Sequence, residues 1–210
     1  MDRRTSLSYL VGIATLAAVI FFILTMRALF GSAEAMRGDV GFTPPVTVEA
    51  ATTSRINVPQ RGYAPPARLL IPAISVNAKV QHVGLTKSGA MGIPSNFVDV
   101  AWYKYGTIPG EDGSAVIAGH VDNALGLSGV FKRLKDLKQG DIVTVVDKEG
   151  KKVTFTITSV VRYKYNEAPT EEIFNSKGKT YLRLITCGGK WLRSEKTYDE
   201  RIVVTAEAQL

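Results

Sequence analysis

The chain has 210 residues, of which 45% are hydrophobic and 21% charged, so its length and composition suit one well-buried globular domain with an appendage. The net charge of +7 suits an anionic envelope or membrane surface, whereas no basic stretch interleaves with aromatic residues as a nucleic-acid-binding module requires, and we expect no nucleic-acid partner. One cysteine and two histidines exclude an internal disulfide and the usual Cys/His zinc site, which leaves a buried thiol, an intermolecular disulfide or a reactive thiol.

The N-terminal residues 1–30 are predicted to form a cytoplasmic tip and a transmembrane anchor. Residues Leu7 to Met26 are uncharged and mostly apolar, and this run of 20 residues has the length that a helix needs to cross a bilayer. Arg3 and Arg4 precede the run, so the positive-inside tendency places the remainder of the chain outside the cell. A cleaved signal peptide is the alternative, because Ala33-Glu34-Ala35 resembles a cleavage site, but the apolar run is longer than the core of such peptides.

Residues 31–66 are predicted to form an extracytoplasmic stalk. They are rich in proline and glycine and show no helical periodicity, which is typical of an extended linker. Alternatively, part of this stalk folds back over the functional site.

Residues 67–210 are predicted to be mainly β. In Lys152–Tyr165 apolar and polar residues alternate, as in a strand with one buried face, and the turn signal Lys148-Glu149-Gly150 separates it from a strand at Asp141–Asp147. About eight short strands at close spacing indicate a sandwich or a closed barrel. The other candidates are strands at Arg68–Pro72, Ile74–Val83, Val98–Tyr105, Ser114–Val121, Tyr181–Cys187 and Arg201–Ala206, and short helices at Gly129–Leu137 and Thr170–Phe174.

Three ionisable residues lie at predicted strand ends, where a rigid scaffold can present side chains to a substrate: His120, Cys187 and Arg201. Thiol chemistry needs a thiolate, which a nearby cation favours, and a proton carrier near neutrality, which histidine supplies. A guanidinium with its fixed fork of donors suits the oxyanion of a tetrahedral intermediate. Each residue also has a structural interpretation: a core thiol, a histidine satisfied by backbone groups, and an ion-pair partner of the preceding acids. His82 is equally available as a base.

The sequence around these residues resembles the sortase family of cysteine transpeptidases. The resemblance covers roughly Arg68 to Ala206 and implies a closed sortase-type barrel of about eight strands with short helices, preceded by the transmembrane helix. Arg183 departs from the usual form of the cysteine motif, and the Gly-His-Val-Asp and Cys-Gly-Gly words look more like classes E or F than the pilin-polymerising class. The resemblance is carried by Gly119-His120-Val121-Asp122, Leu184-Ile185-Thr186-Cys187-Gly188-Gly189, Tyr198–Val204, Leu69-Leu70-Ile71-Pro72 and Pro109-Gly110-x-x-Gly113.

The resemblance implies a role for each site residue. Cys187 would attack the Thr–Gly bond of a C-terminal signal resembling Leu-Pro-x-Thr-Gly, and a cell-wall amine would release the thioester acyl-enzyme. His120 would protonate the leaving amine and deprotonate the incoming one. Arg201 would hold substrate carbonyls or the oxyanion, and Thr186 would help line the same pocket. His82 matches no motif of the family and is expected to be structural.

The resemblance also implies the partners and the location. The partners are surface proteins that bear the sorting signal, a cell-wall precursor that supplies the amine, and the membrane, with the catalytic domain outside a Gram-positive cell. No cofactor is required and no metal is expected. Some family members bind calcium, and Glu111, Asp112, Glu171 and Glu172 are available acids, but we interpret them as solvated loop carboxylates.

Two other classes of function fit parts of the sequence. An L,D-transpeptidase would place histidine and cysteine in one short word, whereas 67 positions separate His120 from Cys187, and a papain-like protease would place its cysteine before its histidine. A membrane-tethered β-domain with a buried cysteine, binding envelope components without catalysis, is the non-enzymatic alternative. Thiol reactivity at neutral pH separates the two classes.

Overall fold

Eight β-strands close into one barrel in residues 62–123 and 126–209, the part of the chain described by a computed structural model. The strands follow one another around the barrel in the order β1-β2-β3-β4-β7-β8-β6-β5, and β5 closes the barrel by pairing with β1. The β2–β3 and β4–β7 pairs are parallel, and the others are antiparallel. The bounds are β1 Pro66–Ile71, β2 Val76–Val83, β3 Val100–Tyr103, β4 Gly113–Ala118, β5 Ile142–Asp147, β6 Lys152–Lys164, β7 Thr180–Leu192 and β8 Thr197–Ala208.

The predicted mainly β, closed eight-stranded barrel is therefore confirmed, and its helices are short. In the described ranges they are α1, Thr170–Asn175, and two 3-10 turns, Pro72–Ile74 and Leu134–Asp136. The predicted transmembrane helix and most of the predicted stalk lie outside the described residues. Within residues 62–123 and 126–209, none of the helices combines the length and the apolar character that crossing a bilayer demands.

One helix prediction was wrong: Gly129–Leu137 contains a single 3-10 turn and otherwise forms a loop. Its apolar spacing has another cause, because Phe131, Leu134 and Leu137 enter the barrel core. The backbone N–H of Val130 donates to the carbonyl of Phe97 at 2.8 Å. This donor is therefore satisfied by another loop and not by a helical hydrogen bond.

The strands that carry the cysteine and the arginine are longer than predicted. β7 continues five residues beyond Cys187, and β8 begins four residues before Arg201, so neither residue lies at a strand end. The register between β7 and β8 shifts between Gly188 and Trp191, which lets the two-stranded ladder continue as a ribbon.

Alternation along the strands separates an inner core from a smaller apolar cluster on the outer face of the barrel. On β7, Leu182 and Leu184 belong to the inner core, whereas Ile185 belongs to the outer cluster. In the outer cluster Ile185 is joined by Val203 of β8 and by Phe174 of α1. The other buried members of the outer cluster are Met91, Val116, Ala118 and Ile173.

Arg183 lies on the same outer face and connects α1 to the sheet. Its guanidinium hydrogen-bonds to Thr205 on β8 and, at 3.2 Å, to the hydroxyl of Ser176 just after α1. It also forms an ion pair with Glu172 at 3.5 Å. The residue that departs from the usual motif is thus a buried structural cation with several partners, and it holds α1 over the outer cluster.

Candidate active site

Three adjacent strands bring the candidate residues together. The parallel register of β4 and β7 pairs Ala118 with Ile185, and His120 follows two residues after Ala118, just beyond the end of β4. The antiparallel register of β7 and β8 pairs Cys187 directly with Arg201. Because residues two apart on a strand share a face, Cys187 projects from the same outer face as Ile185, at the end of the outer cluster. The three residues singled out from the sequence therefore lie on, or just beyond, three adjacent strands, with Cys187 and Arg201 directly paired.

Thr186 fixes the end of β4 and does not share the face of Cys187. Its side chain is 0% exposed, and its hydroxyl donates to the carbonyl of Gly119 at 2.8 Å, directly before His120. The backbone N–H of Gly119 donates in turn to the carbonyl of Ile185. These contacts indicate a positioning role for Thr186, and the expected contact of this residue with substrate stays a prediction.

His120 is held by the loop between β2 and β3. Its Nε2 lies 3.1 Å from the carbonyl oxygen of Pro94, and its ring packs against the ring of Phe97 with centroids 4.7 Å apart. A carbonyl can only accept, so Nε2 carries a hydrogen and the neutral ring has Nδ1 as its proton acceptor. Burial lowers the pKa of His120, although the Pro94 hydrogen bond and the carboxylate of Asp122 oppose this shift.

Cys187 is a half-buried free thiol, and its pKa shifts upward, opposite to that of His120. Burial raises the pKa of Cys187, Asp122 raises it further, and the guanidinium of Arg201 acts in the other direction. At neutral pH the resting pair is therefore a thiol beside a neutral imidazole. A thiolate at Cys187 would be nucleophilic, and a neutral imidazole is a group that can accept the proton of the sulfur.

Arg201 is only 1% exposed and its guanidinium is oriented by its own strand. Nη1 donates to the carbonyls of Tyr198 and Glu200, both at 2.9 Å, and Nη2 donates to the hydroxyl of Thr197 at 2.8 Å. These bonds hold the cation close enough to Cys187 to favour its thiolate form. Contact between Arg201 and a substrate carbonyl stays a prediction.

A fourth group at the site is Asp122, whose role the sequence did not predict. Both of its carboxylate oxygens accept from the hydroxyl of Tyr198, at 2.7 and 2.8 Å, and Lys132 Nζ lies 3.7 Å from Oδ2. Asp122 acts electrostatically on both His120 and Cys187. A carboxylate two residues after the histidine was the available signal, but sequence alone does not place Tyr198 opposite it.

Two close approaches of glycine shape the site. A Cβ on Gly129 would lie 2.4 Å from the carbonyl oxygen of His120, so only glycine lets the β4–β5 loop pass directly against the histidine backbone. Gly189 has a φ of +77°, and a Cβ there would lie 1.9 Å from Oδ1 of Asp199. That same oxygen accepts from the N–H of Lys190, which stabilises the bulge after Cys187.

His82 and one of the four candidate calcium ligands, Glu172, form contacts away from the three candidate residues. His82 Nε2 hydrogen-bonds to the carbonyl of Pro66 at 2.8 Å, and its ring packs edge-on against Trp102. Among residues 62–123 and 126–209, no three histidine, cysteine or acidic side chains converge as a metal site. Of the four acids, Glu172 forms an ion pair with Arg183, and the expectation that calcium is not required stays a prediction.

Solved structures with the same fold include three bacterial enzymes. Sortase C-1 from Actinomyces oris is similar with a TM-score of 0.51 and 23% identity over 69% of this chain and 73% of that chain. Sortase C1 from Streptococcus suis has a TM-score of 0.54 and 18% identity over 70% of this chain and 74% of that chain. A lid mutant of sortase A from Corynebacterium diphtheriae has a TM-score of 0.52 and 20% identity over 71% of this chain and 73% of that chain.

Comparison with family models identifies the chain independently of these structures. No curated protein matches the sequence. The neighbours carry class labels A, C and D, and at these identities they establish the fold and leave the expected class E or F as a prediction. The model of the sortase domain matches residues 69–209, which is well over half of the chain. This protein therefore belongs to the sortase family of transpeptidases.

Proposed function

We propose that this protein is a membrane-anchored cysteine transpeptidase that cleaves a C-terminal sorting signal resembling Leu-Pro-x-Thr-Gly between threonine and glycine, and transfers the protein to a cell-wall amine. The observation that carries the proposal is the direct pairing of Cys187 on β7 with Arg201 on β8, together with the place of His120 just after the end of β4, the strand on the other side of β7. Nucleophile, proton carrier and cation are the parts that acyl transfer through a thioester requires.

In the first half of the reaction Cys187 acquires the threonine acyl group. Its proton passes to His120 Nδ1, and the thiolate attacks the scissile carbonyl carbon. Arg201 stabilises the thiolate and the developing oxyanion. The carbon–nitrogen bond then breaks, and the imidazolium of His120 protonates the leaving glycine amine.

The outer cluster supplies a surface for the apolar part of the signal. Its buried members extend from Cys187 under α1, and its partly exposed margin includes Ile93, Tyr163 and Ala168. An extended peptide placed along this margin presents its leucine and proline to apolar side chains and its Thr–Gly bond to Cys187.

The proposed location follows from the sequence outside the described residues. A single-pass anchor with a cytoplasmic N-terminus places the catalytic domain outside the cell, where the membrane-bound substrate and the cell-wall precursor are both accessible.

Mass spectrometry of the full-length protein in detergent, incubated with sorting-signal peptides, tests the proposal. We expect an adduct on Cys187 with the mass of the peptide up to threonine, and its transfer to an added amine. Cys187→Ala is the matched control and should form no adduct. If none of the peptides is cleaved and the thiol also resists a water-soluble alkylating reagent, the protein is instead a non-catalytic β-domain.

A further inference from the structure

The carboxylate of Asp122 lies at the candidate active site but has no role in the proposed formation of the acyl-enzyme. It lies two residues after His120, its side chain is 17% exposed, and the Tyr198 hydroxyl fixes both of its oxygens. A carboxylate that is oriented and largely shielded from water, beside the proton carrier and the nucleophile, is suited to bind a cation at the reacting centre.

A cation already lies at this carboxylate. Lys132 Nζ is 3.7 Å from Oδ2, and the lysine side chain is 45% exposed, so the pair is partly solvated and weak. The ammonium of Lys132 thus occupies a place that an ammonium from another molecule could take at little cost.

An open cleft lies next to this position, because its lining includes Lys132 and also Ser128, which pairs with Asp122 in a β-bridge. A cavity of about 350 Å³ is lined by Phe97 and Val98 from the β2–β3 loop, by Lys132 from the β4–β5 loop, and by Asn77 from β2. Phe97 also packs against the ring of His120, so the cleft adjoins the histidine. Its lining residues differ from those of the outer cluster, which leaves both surfaces available to different substrates.

We propose that Asp122 binds the ammonium group of the acceptor amine, which enters through the cleft and displaces Lys132. The inference rests on the proposed transpeptidation and names the residue that selects a cationic acceptor over water. Asp122 acts here as a binding residue for the second substrate.

In the second half of the reaction the acceptor amine releases the acyl group from Cys187. The bound ammonium releases one proton to solvent, and the neutral amine attacks the thioester carbonyl carbon. A carbon–nitrogen bond forms and the carbon–sulfur bond breaks. His120 Nδ1 takes the second proton from the nitrogen, and Cys187 leaves as the thiolate.

The test compares two acceptors of different charge in the full-length enzyme. Glycinamide is largely an ammonium at neutral pH, whereas hydroxylamine is largely uncharged. Asp122→Asn keeps an acceptor oxygen for Tyr198 but removes the charge. We expect the KM for glycinamide to rise on the order of tenfold, and the KM for hydroxylamine to change by less than about twofold. Hydrolysis of the acyl-enzyme should continue, so the ratio of hydrolysis to aminolysis should rise.

Lys132→Met supplies the opposite change. If the lysine competes with the acceptor, its removal should lower the KM for glycinamide, and Lys135→Met, an exposed lysine of the same loop, should leave it unchanged. Equal effects of Asp122→Asn on both acceptors, or no effect on either, would overturn the inference. If the wild-type enzyme forms no acyl-enzyme, the proposed function itself is overturned. Mass spectrometry of Cys187 detects the acyl-enzyme and so distinguishes this outcome from a failure of the Asp122 inference alone.

Discussion

Replacing Gly129 with alanine should displace His120 without touching any catalytic side chain. The added Cβ would lie 2.4 Å from the carbonyl oxygen of His120 and 2.7 Å from its carbonyl carbon. Both are backbone atoms, so the histidine must retreat by about 1 Å to restore ordinary van der Waals separation. The hydrogen bond from Phe131 N–H to that same carbonyl, at 2.9 Å, links the displacement to the core residue beside it.

A shift of about 1 Å in a catalytic group costs roughly 10²-fold in rate, which corresponds to about 2.7 kcal/mol in activation free energy. We therefore expect kcat/KM for cleavage of a sorting-signal peptide to fall by about this factor in Gly129→Ala. Overpacking should also lower the free energy of unfolding by about 1 to 3 kcal/mol. Chromatographic detection of the cleaved peptide and urea denaturation measure the two effects.

Gly126→Ala is the matched control in the same loop. Gly126 has a φ of +73°, and nothing lies within 4 Å of its would-be Cβ, so alanine there strains the backbone without approaching His120. The control should lose some stability and keep its activity. Activity of Gly129→Ala within about twofold of the wild type would show that the close approach of the loop does not position the histidine.

Three further predictions concern the residues that surround the thiol. Arg201→Lys should be nearly as inactive as Arg201→Ala, with a loss on the order of 10² to 10³ in peptide cleavage, because lysine keeps the charge but loses the planar fork; substantial rescue by lysine would indicate that charge alone matters. Thr186→Val removes the donor to the Gly119 carbonyl, so urea denaturation should show a loss of about 1 to 3 kcal/mol in unfolding free energy, and an unchanged midpoint would contradict this role. The pH profile of kcat/KM should be a broad bell. The active thiolate–imidazolium pair carries the same number of protons as the resting thiol–imidazole pair, so its fraction is constant between the two pKa values. Burial lowers the pKa of His120 from 6.5 and raises that of Cys187 from 9.0, so the acid limb should lie below pH 6.5 and the alkaline limb above pH 9.0. Activity that simply rises through pH 7 to 9 as the thiol ionises would contradict this assignment.

The β-barrel could be predicted from the sequence because its signal is local. Alternation in β6 places Val153, Phe155 and Ile157 in the core, as the period of two predicts, and the register shifts only after Ile157. The loop at 129–137 was predicted wrongly because its structure depends on contacts with residues that are distant in sequence. Its apolar spacing resembles that of a helix, but the residues enter a core whose other walls are far away in sequence.

By itself the sequence determined the family of the protein and left one candidate for its nucleophile. One cysteine leaves one possible thiol, and the motifs around it identified a family that the match over residues 69–209 then confirmed. The tertiary structure decided which groups surround that thiol. Asp122 and Tyr198 meet across 76 positions, and Pro94 reaches His120 across 26, through contacts that no local pattern encodes. Burial, which sets the directions of the pKa shifts of His120 and Cys187, likewise arises only when distant segments pack together.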